Sequence, residues 1–108
     1  MTVGGLIDSG IFTPIALPHP EREISGVYIG DLLSWVMGRA ECDNAWITIM
    51  SNVNVIAVAT LADVSCVILA EGVTLDEKIL KTAKEKEVNV LASALPIYET
   101  AIELSSRV

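Results

Sequence analysis

The chain has 108 residues, which suits one domain with one core and leaves no room for a second. Hydrophobic residues make up 52% of it but aromatic ones only 5%, so the apolar mass is Val, Ile, Leu and Ala, as in strands covered on both faces. A net charge of -7, from seven Lys and Arg against fourteen Asp and Glu, argues against nucleic acid, whose binding rests on clustered cations.

The first ten residues read as a short helix from Thr2, weakened by Gly4 and Gly5 and stopped by Gly10. Residues 11–17 look extended, with Pro14 confining them to a sheet edge or a strand start. His19, the single histidine, sits between Pro18 and Pro20 in a stiff loop and has no second ligand or base near it in sequence. A structural or solvent-exposed role is expected for it. Residues 25–30 form the next strand, and Asp31 stands where a helix N-cap belongs before a short helix ending near Gly38. Leu32, Leu33, Trp35, Val36 and Met37 are expected to pack that helix onto the sheet.

Residues 45–50 carry β-branched and aromatic residues at the density of a third strand. The run after them, to Gly72, has Asp63 as its only charge before Glu71. A strand starting at once would need a tight hairpin and would leave the strand at 64–70 without a crossover, so residues 52–62 read as a helix capped by Ser51 or Asn52. That helix has no polar face: Val53, Ile56, Ala57 and Leu61 fall on one side, and Val55, Val58, Ala59 and Ala62 on the other. A helix apolar all round is buried all round. Val55, Val58, Ala59 and Ala62 are therefore the expected face of a homodimer contact.

Thr74 and Glu77 have the spacing of a capping box that opens a helix running to about Lys86. Its charges, with Lys84 to Glu87, belong to a solvated face. A short strand at 88–92 and a last helix from Ile97 to about Ser105, with Pro96 at its first turn, complete the alternation. The fold class is α/β, a single domain with a largely parallel or mixed sheet and helices packed on it.

No catalytic or metal-binding constellation emerges. Cys42 and Cys66 form neither a metal spacing nor a disulfide framework, and Cys66 in an apolar run reads as an inert buried thiol. No apolar run reaches the roughly 18 uninterrupted residues of a membrane span, and no basic segment leads into an apolar one at the start. A cytoplasmic protein is expected.

Three segments, 24–38, 45–59 and 67–77, together with Thr2 to Ser9 and the closing Ile97 to Ala101, resemble in order and spacing the DRTGG domain in its stand-alone bacterial form. The resemblance implies an α/β regulatory or assembly module of the kind found beside CBS domains in regulated pyrophosphatases, and similar to the N-terminal domain of HPr kinase. It also implies a setting near iron hydrogenase or signalling-kinase systems, hence a hydrogenase or sensor-kinase partner; no cofactor is expected. The family name records an Asp-Arg pair and a Thr-Gly-Gly; the corresponding positions here are Ser51 to Asn54 and Ala70 to Gly72.

Three functions follow. The first is a non-catalytic homodimeric module. The second is a serine kinase, which needs a glycine-rich phosphate loop with its Lys, and Gly4, Gly5, Gly26 and Gly30 make no such loop. No enzyme is expected. The third is weak nucleotide or small-anion binding at Ser51, Asn52, Asn54 and Gly72, where a helix start meets the strand ends.

Overall fold

The computed structural model describes residues 1–108. The elements run α1 (Val3–Asp8), β1 (Thr13–Ala16), β2 (Val27–Ile29), α2 (Leu33–Arg39), β3 (Ala45–Thr48), α3 (Val53–Ala62), β4 (Cys66–Leu69), α4 (Glu77–Glu85), β5 (Val90–Ala92) and α5 (Ile97–Ser105). The α/β reading holds: one five-stranded sheet has the order β1-β5-β4-β3-β2. Strands β2 to β5 are parallel, and β1 runs antiparallel to β5 with a register shift between Pro14 and Ala16. Pro14 thus lies on an edge, where its missing N–H costs no ladder bond.

Because β2, β3, β4 and β5 follow one another across the sheet, right-handed crossovers send α2, α3 and α4 to the same face. One core joins Val36 of α2, Val55, Ile56, Val58 and Ala59 of α3 and Ala83 of α4 to Trp46, Val67, Leu69 and Val90 of the sheet. The second core lies on the opposite face, where Val3 and Leu6 of α1 and Leu104 of α5 meet Ala45, Ile47, Cys66, Ile68 and Leu91. Both central strands, β3 and β4, are buried at every residue, which accounts for the near-continuous apolar run in the sequence.

Two expected caps are placed differently. The N-cap of α4 is Asp76 rather than Thr74, its carboxylate accepting from Ile79 N at 2.9 Å. Asp31 does not cap α2, whose N-cap position is Leu32 with no side-chain bond. Its carboxylate is drawn instead to β3, accepting from Thr48 Oγ1 at 2.7 Å and from Ile49 N at 3.0 Å.

Candidate functional site

At the carboxyl ends of the strands, Asn52 caps α3 with Oδ1 accepting from Asn54 N at 2.9 Å. Asn52 and Asn54 are exposed and Ser51 is half-buried. Gly72 follows β4, the neighbour of β3, and so reaches the same rim. It brings no free donor, because Gly72 N already donates to Ser93 O at 3.0 Å. The only charged side chains in the strand-end segments 30–31, 48–54, 70–73 and 93–96 are the carboxylates of Asp31 and Glu71. The positive end of α3 attracts an anion, and these two carboxylates oppose it.

In open α/β sheets ligands enter where adjacent strands send their following helices to opposite faces. Here that point lies between β4, followed by α4, and β5, followed by α5. It is closed by backbone. Glu71 N donates to Leu95 O at 2.9 Å, beside the bond from Gly72 N to Ser93 O. Beneath them the buried hydroxyls of Ser93 and Thr100 lie 2.9 Å apart, and Thr100 Oγ1 also donates to Leu95 O at 3.1 Å. Gly72 has φ +71° and Glu71, a non-glycine, has φ +61°; the tight crossing of the two loops demands this left-handed pair.

The opposite end of the sheet carries a polar network that local sequence patterns gave no sign of. The Arg22 guanidinium donates to Asp43 Oδ1 at 2.9 Å, to Asp63 Oδ1 at 2.8 Å and to the Asp63 carbonyl at 2.6 Å. Cys42 Sγ donates to Asp63 Oδ2 at 3.2 Å. That thiol bond first, and Arg22 second, hold the Asp63 carboxyl below the usual aspartate range; the same bond pushes the Cys42 thiol up, away from reactivity. His19 lies between Glu21 at 3.3 Å and Glu87 at 3.4 Å. The small cleft among Arg22, Asp63, Asn89 and Lys86, about 90 Å3, is therefore lined largely by groups that already satisfy one another. Asp63 supplies the left-handed C-cap of α3, at φ 56°.

The expected contact face of α3 is turned inward, and Ile56 from the other side is buried with it. Val55, Val58 and Ala59 are buried in the chain's own core and Ala62 packs against it, because this side lies on the sheet. Outward are Val53, Ala57 and Leu61, with Leu61 70% exposed. A groove of about 340 Å3 runs between this face and Thr82 of α4 with Lys86 at its C-cap.

More exposed apolar side chains lie at β2 and α2. Of α2, only Val36 is buried, with Leu33 packed partly against the core, while Leu32, Trp35 and Met37 point away from the sheet they were expected to cover. Arg39 stacks on the exposed Trp35, its guanidinium carbon 3.7 Å from the ring centroid. With Val27 and Ile29, five of the chain's twelve exposed large apolar residues fall between 27 and 37. Ile49, at the end of the neighbouring strand, is also exposed. The sequence offered one cue: β2 is bracketed by Gly26 and Gly30 and has only one short helix beside it.

The family model for the DRTGG domain matches residues 21–106. The chain belongs to the DRTGG domain family. Its fold is also that of a solved structure, the CBS and DRTGG domains of the regulatory region of Clostridium perfringens pyrophosphatase complexed with its activator, diadenosine tetraphosphate. The TM-score is 0.75 at 14% identity, over 93% of this chain and 44% of that one. This DRTGG domain thus spans under half the length of that neighbour. No curated protein matches it. No helix of the domain is long and apolar enough to cross a membrane.

Proposed function

We propose that this DRTGG domain is a non-catalytic regulatory or assembly module that works as a homodimer and engages a larger system, of which an iron hydrogenase or a signalling kinase is the candidate. One observation carries the reading: exposed apolar side chains gather at 27–37 while the strand-end crevice is shut by backbone bonds. Exposed apolar side chains gathered along one edge of a sheet and the helix beside it mark protein contacts more often than free surface, and two-fold pairing is the commonest way to cover them. A contribution of α3 to such a contact falls to Val53, Ala57 and Leu61, since Val55, Val58 and Ala59 are used by the core. Light scattering tests the dimer. Purification from native cells, with hydrogenase subunits or a sensor kinase retained through the wash, tests the partner; their absence rejects that assignment.

A second reading, nucleotide sensing, draws support from the diadenosine tetraphosphate in the structural neighbour. That region also contains CBS domains, and 14% identity carries only the fold. Ser51, Asn52 and Asn54 would receive the phosphate at the start of α3, without any Lys or Arg among them. Calorimetry with AMP, ATP and diadenosine tetraphosphate separates the readings: affinity weaker than roughly 100 μM fits a protein-docking module, whereas sub-micromolar affinity fits a sensor.

A further inference from the structure

The two edges of the sheet are built differently. The β1 edge carries Pro14 and a register shift, two devices that discourage a further strand. The β2 edge, Val27–Ile29, has no proline, lysine or bulge.

Its backbone is also aimed outward. Gly26 O accepts from Ala45 N at 3.0 Å and Gly30 N donates to Ile47 O at 3.2 Å, so the even-numbered residues 26, 28 and 30 face β3. By alternation the N–H and C=O groups of Val27 and Ile29 point to the open side. The side chains of these two residues share the sheet face of Ala45 and Ile47, to which they are paired in register, and are 37% and 48% exposed. Tyr28 points to the opposite face, toward α2 and α3.

We propose that two copies of this chain join edge to edge, β2 pairing antiparallel with β2 about a two-fold axis at Tyr28, doubling the five-stranded sheet. This deepens the homodimer reading above and rests on it. An antiparallel partner must offer outward-facing groups to outward-facing groups. Centring on Tyr28 sets Val27 of one copy against Ile29 of the other and the reverse, so every outward group of the strand is matched within the strand. A centre at Val27 or at Ile29 leaves one of the two residues facing a loop.

The side chains match under the same rotation. On one face Val27 and Ile29 of both copies form a single apolar cluster; on the other, Leu32 at the cap of α2 and Trp35 within it flank the Tyr28 pair. Charge permits it. Each copy carries -7, yet Gly26 faces Gly30, and Asp31 falls opposite Ser25, so no like charges oppose each other along the edge. A stable dimer takes roughly 800 Å2 from each partner, about a seventh of this chain's 5469 Å2, so α2 and Ile49 beside β2 must contribute to the contact along with the strand.

Two measurements on the full chain test the pairing. Hydrogen exchange of the Val27 and Ile29 amides should slow at least tenfold as concentration rises from the monomer range into the dimer range. Cross-linking under mild oxidation in a Cys42→Ser background should join Tyr28→Cys copies to one another but not Val27→Cys copies, since Tyr28 meets itself and Val27 meets Ile29. A dimer with fast-exchanging Val27 and Ile29 amides, or one cross-linked through Leu61→Cys and not Tyr28→Cys, overturns the edge pairing and leaves the homodimer standing. A monomer at every concentration overturns both.

Discussion

Asp31 and Thr48 meet at 2.7 Å, hydroxyl to carboxylate: Asp31 follows β2, and the fully buried Thr48 ends β3. The same carboxylate accepts from Ile49 N, and Thr48 Oγ1 in turn accepts from Met50 N at 3.2 Å. This chain of bonds fixes the turn out of β2 to the turn out of β3, and so sets where α2 and its exposed face sit. Asp31→Ala is expected to lower stability by about 1–2 kcal/mol, because a buried hydroxyl and a backbone donor lose a charged acceptor. Denaturant melts check it; an unchanged midpoint would show that water replaces the carboxylate.

Glu71 holds φ +61° beside Gly72 at +71°. A side chain in the left-handed region costs roughly 1–2 kcal/mol, partly offset when glycine's extra unfolded-state freedom is counted. Glu71→Gly should therefore stabilise the domain by up to about 1 kcal/mol, and it restores a glycine at a signature position of the family. Loss of stability would mean that the Glu71 side chain contributes a contact that outweighs the backbone strain.

Cys66 is fully buried, and burial pushes its thiol up to about 12. In the unfolded chain the thiol ionises near pH 8.5, so between these values the unfolded state has lost a proton that the folded state keeps. Stability then falls as pH rises, by roughly 1.4 kcal/mol per unit from this group alone. Cys66→Ala should flatten the slope relative to the parent above pH 9. Under native conditions a thiol reagent should label Cys42, which is exposed, and reach Cys66 only on unfolding.

Val58 separates the two faces of α3. It is 5% exposed and lies in the core shared with Trp46 and Val90, so Val58→Asp buries an unpaired carboxylate and should cost about 3 kcal/mol or more. Leu61→Asp, on the outward side and 70% exposed, should leave the melting midpoint nearly unchanged. Equal effects of the two substitutions in thermal melts would refute the assignment of faces.

These faces mark the limit of what the sequence makes legible. Strands and helices were legible because Gly, Pro and the polar breaks punctuate them, and Pro14 named its edge. The orientation of α3 was not, since apolar residues surround it and periodicity then carries no direction. The cap of α4 lies two residues beyond Thr74 because Thr74 and Asp76 both suit the role, and only the chain's path into the helix selects between them. Asp31 has a cap's local setting, but its partner Thr48 is a tertiary neighbour that no local pattern reveals. The strand-end residues Ser51, Asn52 and Asn54 do gather at one helix start, yet the closing of the crevice by Glu71, Gly72, Ser93 and Leu95 depends on two loops far apart in sequence.

Homodimer formation is the central claim, and mass in solution tests it most directly. Multi-angle light scattering over a range of micromolar concentrations should give twice the 11.5 kDa of the chain, and Ile29→Lys, which sets a cation into the shared apolar cluster, should return the mass to that of one chain with the fold intact. A mass of 11.5 kDa for the unmodified protein throughout that range would contradict it.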